Sequence, residues 1–368
     1  MRHGPVPAVD DPRDVDLDFS TALFRAFGGP VARARTRDRN EDFRVDEVLR
    51  FEPDGEGDHA WLRIEKQALN TRDVARRLAR HAGVKPVDVG FAGQKDRRAV
   101  ARQWFSVNLS GLTEPDWRSL ENECLRILAI TRHGKKLRRG QLAGNRFLIT
   151  LRDVEGDRAV LEALLGRVSV EGVPNYFGPQ RFGRGDANIK ACVNMVVNAE
   201  RVRDRYRRGM YLSAGRAWIF NQVLSARVAG GTWNAGLPGD ILMFDDSRGR
   251  FLADPDESTG DPRIPTLELH PTGPLWGRGS PETKADAGAL ERDVAGRYFP
   301  LCKGLEAAGL ESDRRALRLK VQDLDYRMDE TGVVELSFFL RAGAFATTVL
   351  AELFDLEQNR DSRPNASR

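Results

Sequence analysis

The chain has 368 residues, of which 40% are hydrophobic and 30% charged, so it can bury a core and is too apolar to be a disordered protein. Lys and Arg exceed Asp and Glu by only four, so the net charge is weak support for a nucleic-acid partner. The length predicts two domains or one with an insertion.

Three widely spaced cysteines, Cys124, Cys192 and Cys302, form neither a Cys-x-x-Cys pair nor a Cys/His ligand spacing. We therefore expect no metal, no disulfide framework and a reducing compartment. The sequence has no apolar run of about 18 residues or more and no signal-like start, which predicts a cytoplasmic protein without a membrane association.

In chain order, we expect residues 1–36 to form an N-terminal arm. Apolar residues over 43–51 and 60–64 flank the turn PDGEG and predict a β-hairpin. The acidic turn lacks the ligand pattern of an EF-hand, which favours a plain turn over a calcium site. Apolar residues at helical spacing over 71–82 predict a helix.

Residues 89–107 predict two buried strands joined by a loop that carries Asp96. The loop is basic, and its positive charge should keep this carboxylate ionised at neutral pH. An Asp among Lys and Arg is more often a surface ion pair, so the charge pattern alone leaves that alternative open. The surrounding basic residues are Lys95, Arg97, Arg98 and Arg102.

Further along, strand-like and helix-like segments alternate, which is typical of a mixed α/β sheet domain. From about residue 171 the pattern changes to helices and a Gly/Pro-rich tract, which indicates an inserted domain. Strands are predicted at 127–132 and 146–152, helices at 157–168, 188–206, 212–228 and 283–297, a strand hairpin at 317–327 and 333–341, and a helix at 345–356.

Arginine and lysine concentrate in three groups that favour contacts with phosphate, although each group alone could be a solvated face. They lie at 33–39, 132–139 and 201–208. The GRG at 183–185 lacks the third glycine of a dinucleotide site, and the chain has no P-loop, so we expect no nicotinamide, flavin or nucleotide cofactor. A glycosidase would need two placed carboxylates, and only Asp96 is suggested.

The segment around Asp96 resembles the catalytic motif of the TruD family of tRNA pseudouridine synthases, in Gly93, Lys95, Asp96, Ala99 and Gln103. Five further blocks resemble that family in its order, so that the resemblance spans about residues 37 to 353. They are NEDFRVDE at 40–47, FEPDGEGDH at 51–59, AGNRF at 143–147, VPNYFGPQRFG at 173–183 and LRAGAFATTVLAEL at 340–353.

The resemblance implies an α+β fold with two domains. A pseudouridine synthase catalytic domain with a mixed sheet would be built from both chain ends, residues 37–169 and 317–357. Residues 170–316 would form an inserted α/β domain of the TruD type.

The resemblance also implies the activity, which is isomerisation of uridine to pseudouridine at position 13 in the D-arm of tRNA, with Asp96 as the one catalytic residue and no cofactor. The expected partner is tRNA, and we expect a monomer. The alternatives are an RNA-binding or chaperone protein on the same scaffold, or a pseudouridine synthase that acts on other RNAs.

By the same resemblance, Phe147 lies against the target base, Asn145 can hydrogen-bond the base or Asp96, and Arg37 pairs with Asp96. Phe43 and Phe345 lie around the substrate. From the residue pattern alone, the three phenylalanines also fit core positions and Arg37 fits an exposed one. The expected RNA-binding residues are Lys135, Lys136, Arg138, Arg139 and Arg181.

Overall fold

The computed structural model describes residues 23–247, 249–254 and 260–358. The strands of these residues are β1 (Ala32–Thr36), β2 (Phe43–Leu49), β3 (His59–Lys66), β4 (Val89–Phe91), β5 (Val100–Asn108), β6 (Leu125–His133), β7 (Leu142–Gly156), β8 (Val173–Pro174), β9 (Ile241–Phe244), β10 (Arg250–Leu252), β11 (Leu269–Leu275), β12 (Asp313–Ala316), β13 (Arg318–Leu319), β14 (Gln322–Met328), β15 (Val334–Arg341) and β16 (Phe354–Gln358).

The α-helices of the same residues are α1 (Thr71–His81), α2 (Arg158–Glu171), α3 (Pro179–Phe182), α4 (Ala187–Val196), α5 (Arg205–Ala229), α6 (Ala285–Arg297), α7 (Phe299–Ala307) and α8 (Ala346–Leu353). No helix in the described part of the chain is both long enough and apolar enough to cross a membrane.

The chain divides into two compact units. The sheet unit contains the described residues of 30–169 and 321–358. The inserted unit contains those of 23–29 and 170–320. Residues 318–319 lie in the inserted unit because β13 pairs with β8.

The sheet unit is built on one mixed ten-stranded sheet with the strand order β14-β15-β7-β2-β5-β3-β6. Of the remaining strands, β4 pairs with β5, and β1 lies between β7 and β16. The β2–β5 and β1–β16 pairs are parallel, and the other pairs are antiparallel. This mixed sheet with flanking helices confirms the predicted α+β class.

Side-chain alternation on β5 shows how one face of the sheet is buried. Ala101, Gln103 and Phe105 are buried, whereas Arg102 between them is exposed. Helix α1 packs on this face through Val74 and other apolar residues that lie in one core cluster with Phe105. Each large apolar side chain buried in this way contributes roughly 1.5 to 3 kcal/mol.

The predicted hairpin over 43–51 and 60–64 is wrong. Both strands form, as β2 and β3, but β5 lies between them, with Ala101 beside Val45 and Phe105 beside Leu62. A strand as deeply buried as β5 needs a hydrogen-bonding neighbour on each side. The hairpin predicted near the C-terminus forms as expected, from β14 and β15.

Residues 32–36 form strand β1, although the sequence predicted an arm over 1–36. Ala32 and Ala34 are buried and Arg33 and Arg35 point outward, so the first group of arginines is partly the outer face of a strand. The described residues 23–29 belong to the inserted unit. The rest of the predicted arm, residues 1–22, lies outside the described residues.

The inserted unit is organised around helix α5, which is 25 residues long. Asp204 caps its N-terminus by accepting hydrogen bonds from the backbone N–H groups of Tyr206 and Arg207. The helix is buried from about its second turn and packs on α4, α6, α7 and β11. Strand β11 belongs to a four-stranded sheet with the order β10-β9-β11-β12.

Candidate active site

Asp96 lies in the loop that joins β4 to β5. These two strands are hydrogen-bonded neighbours, with Phe91 opposite Phe105 and Val89 opposite Val107, so both ends of the loop are fixed by the sheet. The side chain of Asp96 is 60% exposed. The loop therefore presents a solvent-facing carboxylate from a rigid base.

A buried lysine holds the backbone of this residue. Lys66, the last residue of β3, is fully buried, and its Nζ donates to the carbonyl oxygens of Asp96 at 3.1 Å and Leu69 at 2.8 Å. Burial lowers the pKa of Lys66 to about 8, although the negative charge of Asp96 acts in the opposite direction.

A second buried pair fixes the residue before Asp96. Lys95 Nζ lies 2.5 Å from Glu47 Oε1, and both side chains are almost completely buried. Burial raises the pKa of Glu47, and Lys95 together with hydrogen bonds from the Trp104 backbone and from Gln103 offsets only part of this rise. The pair is thus a buried ion pair with its remaining acceptor positions satisfied, the condition under which such pairs are tolerated.

Gln103 and Thr71 connect the pair to the loop and to α1. Gln103 Nε2 donates to the carbonyl of Gly93 at 2.7 Å, and its Oε1 accepts from Thr71 Oγ1 at 3.0 Å. Thr71 Oγ1 in turn accepts from the backbone N–H of Lys95 at 2.9 Å. We call the five side chains that fix the loop the anchor network: Glu47, Lys66, Thr71, Lys95 and Gln103.

Arg37 contacts the Asp96 carboxylate directly. Its Nη2 donates to Asp96 Oδ2 at 2.9 Å, and its guanidinium carbon lies 4.0 Å from the centre of the Phe43 ring. The backbone of Arg37 has φ of 64°, a conformation that costs a non-glycine residue energy. Arg98 donates to the carbonyl of Arg37 at 3.4 Å, which links this turn to the Asp96 loop.

Three phenylalanines form a contact chain next to this ion pair. The rings of Phe43 and Phe147 meet edge to face with centroids 6.0 Å apart, and Phe147 lies 5.5 Å from Phe338. Phe147 is only 7% exposed. The structure therefore brings Asp96, Arg37, Phe43 and Phe147 together, and it also gives Phe147 the packing of a core residue.

Asn145 lies two residues before Phe147 on the same face of β7 and is paired with Glu47 of β2. Its Oδ1 is buried and has no hydrogen-bond partner among the described residues. An orphaned buried acceptor is uncommon in proteins and needs an explanation. At the neighbouring Gly144 a Cβ atom would collide with the carbonyl of Leu340, so β7 and β15 approach closely here.

The structure does not place every predicted residue in this group. Phe345 is half-buried and directly precedes α8, and it makes no ring contact with the other aromatic residues of the described chain. Lys135, Arg138 and Arg139 are exposed, whereas Lys136 is half-buried and bonds to the carbonyl of Val87. Arg181 lies in the inserted unit.

The chain is similar to known proteins over nearly its full length. A sequence model of the tRNA pseudouridine synthase D (TruD) family matches residues 26–200 and 194–353. The tRNA pseudouridine synthase D of Methylococcus capsulatus is 50% identical over 355 residues, which cover 96% of this chain and 97% of the relative. That of Pseudomonas aeruginosa is 47% identical over 334 residues, which cover 90% and 93%. The chain belongs to the TruD family.

Membership of the TruD family makes the chain an enzyme of the isomerase class and confirms the family resemblance. The fold agrees as well. A crystal structure from Methanosarcina mazei, described as a candidate tRNA pseudouridine synthase D, superimposes with a TM-score of 0.68 at 22% identity, covering 89% of this chain and 95% of the other.

Sequence reasoning missed the roles of Glu47, Lys66 and Thr71 in this TruD protein. Glu47 alternates with Phe43 and Val45, and Lys66 alternates with Ile64, so each occupies a position that the strand pattern assigns to the buried face. A charged residue at such a position is the signal that could have identified Glu47 and Lys66, because unpaired charges are rarely buried.

Replacing Lys66 by Met tests the burial of its ammonium group. Because the pKa of Lys66 falls from 10.5 to about 8 on folding, the unfolded chain binds more protons between these values, and the unfolding free energy should rise with pH across them. We expect wild type to gain about 3 kcal/mol relative to Lys66→Met between roughly pH 7.5 and 10.5, measured by urea unfolding.

The exposed Lys85 supplies the matched control, since its replacement by Met removes a lysine without removing a buried ammonium group. The difference between wild type and Lys85→Met should be flat over the same pH range. An equally flat difference for Lys66→Met would contradict the account of a buried ammonium below Asp96.

Proposed function

We propose that this TruD protein converts the uridine at position 13 in the D-arm of tRNA to pseudouridine, with Asp96 as its one catalytic residue and without a cofactor. The observation that carries the proposal is an exposed carboxylate on a loop fixed from below by a buried ion pair and a buried ammonium group. The relatives named above carry the corresponding name, tRNA pseudouridine synthase D.

The reaction breaks the N1–C1′ bond, turns the uracil and forms a C5–C1′ bond. N1 gains a proton and C5 loses one, so the substrate and product have the same atoms and oxidation state. An ionised carboxylate can act either by adding to the base or ribose, or by removing a ribose proton so that the uracil leaves. Both routes need a carboxylate oxygen that faces the substrate.

Asp96 meets this need. Arg37 holds Oδ2, and Oδ1 has no hydrogen-bond partner among the described residues. We therefore assign Arg37 to positioning Asp96, and Phe43, which packs under the guanidinium, to positioning Arg37.

A uridine within a folded RNA must leave its stack before a side chain can reach C1′. In the proposed complex the uracil lies against Phe147, and the unpartnered Oδ1 of Asn145 accepts a hydrogen bond from a uracil N–H. Phe345, which is half-buried, is proposed to contact the same nucleotide. These roles account for an orphaned amide oxygen beside an aromatic side chain.

We assign tRNA binding in the sheet unit to the exposed cations Lys135, Arg138 and Arg139. None of them forms an ion pair with a carboxylate of the described chain, so their charge remains available for phosphate. Lys136 is expected to contribute less because its ammonium group already donates to the carbonyl of Val87. We extend the proposal to a monomeric cytoplasmic enzyme.

A protein that only bound RNA, as a chaperone does, would have no use for the anchor network below Asp96. Removing charged groups from water costs several kcal/mol for each ion, even in a relaxed protein. That cost is understandable where a catalytic carboxylate must be held in place.

Replacing Asp96 by Asn should stop pseudouridine formation while leaving folding and tRNA binding intact. The amide keeps the size of the side chain and removes its basicity and nucleophilicity, so we expect the single-turnover rate to fall by at least about 100-fold. Asp73→Asn, which neutralises a partly exposed carboxylate on α1, is the control and should keep the wild-type rate. Turnover by Asp96→Asn within about tenfold of wild type would remove Asp96 from its proposed role.

Phe147→Leu should remain folded and turn over more slowly, because stacking of an aromatic ring on a base contributes about 1 to 3 kcal/mol. Phe338→Leu makes the same change in the neighbouring ring of the contact chain. We expect similar losses in urea stability for the two variants and a rate loss of about fivefold or more for Phe147→Leu alone. Equal rate losses would mean that Phe147 acts only as a core residue.

The triple variant Lys135→Gln, Arg138→Gln and Arg139→Gln should bind tRNA more weakly. Each lost phosphate contact should reduce the slope of log K against log salt by roughly 0.7 to 0.9. Lys136→Gln alone should change the slope less than any of the three. If the triple variant kept the wild-type slope, the loop would be solvated and not in contact with RNA.

A further inference from the structure

The segment NYFGPQRFG belongs to the inserted unit and has no role in the site described above. The aromatic ring of Phe177, in this segment, is contacted by two guanidinium groups. The guanidinium carbon of Arg315, on β12, lies 4.3 Å from the ring centre, and that of Arg181, on α3, lies 5.2 Å from it. Phe177 is buried, and both arginines are half-buried.

Neither cation is neutralised within the described chain. Arg315 donates to Oδ1 and to the carbonyl of Asn175, and Arg181 donates to Ser213 Oγ at 3.0 Å. All of these acceptors are uncharged. Neither guanidinium forms an ion pair with a described carboxylate.

Two of the three buried arginines described in this unit are paired with a carboxylate, and the third, Arg318, directs its donors to four uncharged acceptors. Arg227 makes a two-pronged ion pair with Asp240, and Arg314 pairs with Glu291 at 2.5 Å. The two arginines on Phe177 have no such partner and repel each other. Burial lowers the pKa of both, and the charge of Arg181 lowers that of Arg315 further, to about 10, so both remain charged at neutral pH.

We propose that Arg181 and Arg315 bind one phosphate of the RNA backbone, which makes NYFGPQRFG part of an anion site and not of the catalytic centre. The inference rests on the proposed function in one respect, that the ligand is RNA. A phosphodiester has two charged oxygens and can accept from both cations at once. It also removes their mutual repulsion.

The chemistry favours arginine over lysine at both positions. A guanidinium can contact an aromatic ring and still direct several N–H groups toward a phosphate. The guanidinium of Arg181 makes a single hydrogen bond to the described protein, so most of its N–H donors are left for a ligand. Arg315 is tied to Asn175, which fixes one side of the site before RNA binds.

The test compares Arg181→Gln with Ser213→Ala in the full-length chain. Both variants lose the Arg181–Ser213 hydrogen bond, but only the first loses the charge. We expect Arg181→Gln to weaken tRNA binding about tenfold, to reduce the salt slope by roughly 0.7 to 0.9, and to raise KM with little change in kcat. Ser213→Ala should resemble wild type, and thermal melting checks that both variants are folded.

Arg315 also donates hydrogen bonds to Asn175, so a neutral replacement could disturb the fold. It is therefore tested as Arg315→Lys, which keeps the positive charge and loses the planar guanidinium group. Weaker tRNA binding by a folded Arg315→Lys supports the site. Wild-type tRNA affinity and salt slope in a folded Arg181→Gln variant would overturn it, whether or not the wild-type enzyme forms pseudouridine. Conversely, loss of RNA affinity in Arg181→Gln together with an inactive wild type would leave the site standing and refute the proposed activity.

Inorganic phosphate separates the two sources of the ligand. At matched ionic strength, phosphate should compete with tRNA more strongly than chloride does for wild type, and this excess should vanish in Arg181→Gln. If phosphate stabilised wild type and not Arg181→Gln against melting while both bound tRNA equally, the site would bind free phosphate and the assignment to RNA would be wrong.

Discussion

The hydrogen bond from the buried ammonium of Lys66 to the backbone of Asp96 is the interaction on which the site depends. It acts on the main chain and leaves the carboxylate exposed to solvent. With the Glu47–Lys95 ion pair on the preceding residue, it fixes the loop at two successive positions. The flexible part of Asp96 is then only its short side chain, which Arg37 orients. The proposed action of a single carboxylate on a bound substrate requires such preorganisation.

The register of the sheet explains why these groups meet. Glu47 of β2 is paired with Asn145 of β7, and Val45 is paired with Phe147. On β15, the neighbouring strand on the other side of β7, Phe338 lies opposite Phe147. A shift of any of these strands by one residue would turn its polar and aromatic side chains to the other face. The strands from both segments of the sheet unit are therefore needed to assemble one site.

The local pattern predicted those features that depend on neighbouring residues. The alternation on β5, the helix at α1, the β14–β15 hairpin and the basic loop around Asp96 all follow from spacing and turn residues. The order of strands did not follow, because the insertion of β5 between β2 and β3 is decided by burial of the whole sheet. A turn such as PDGEG permits a hairpin and does not require one.

Local sequence pattern was likewise insufficient to predict which residues meet at the candidate site. The motif around Asp96 pointed to its loop, and the contact between Arg37 and Asp96, 59 residues apart, came only from the family resemblance. The strand pattern places Lys66 on a buried face, but nothing in the sequence around Lys66 or Thr71 indicates that these residues bind the Asp96 loop. Their role appears only when the strands are aligned, since each supplies one donor or acceptor to backbone groups that the loop leaves unpaired.

A site-resolved map of pseudouridine in cellular tRNA tests most directly whether this chain modifies one uridine of tRNA. The map is made in cells with the gene, in cells without it, and in deleted cells that carry it again. The account predicts that pseudouridine at position 13 of certain tRNAs disappears on deletion and returns on complementation, with other positions unchanged. An identical map in all three, or a loss confined to positions outside the D-arm, would contradict it.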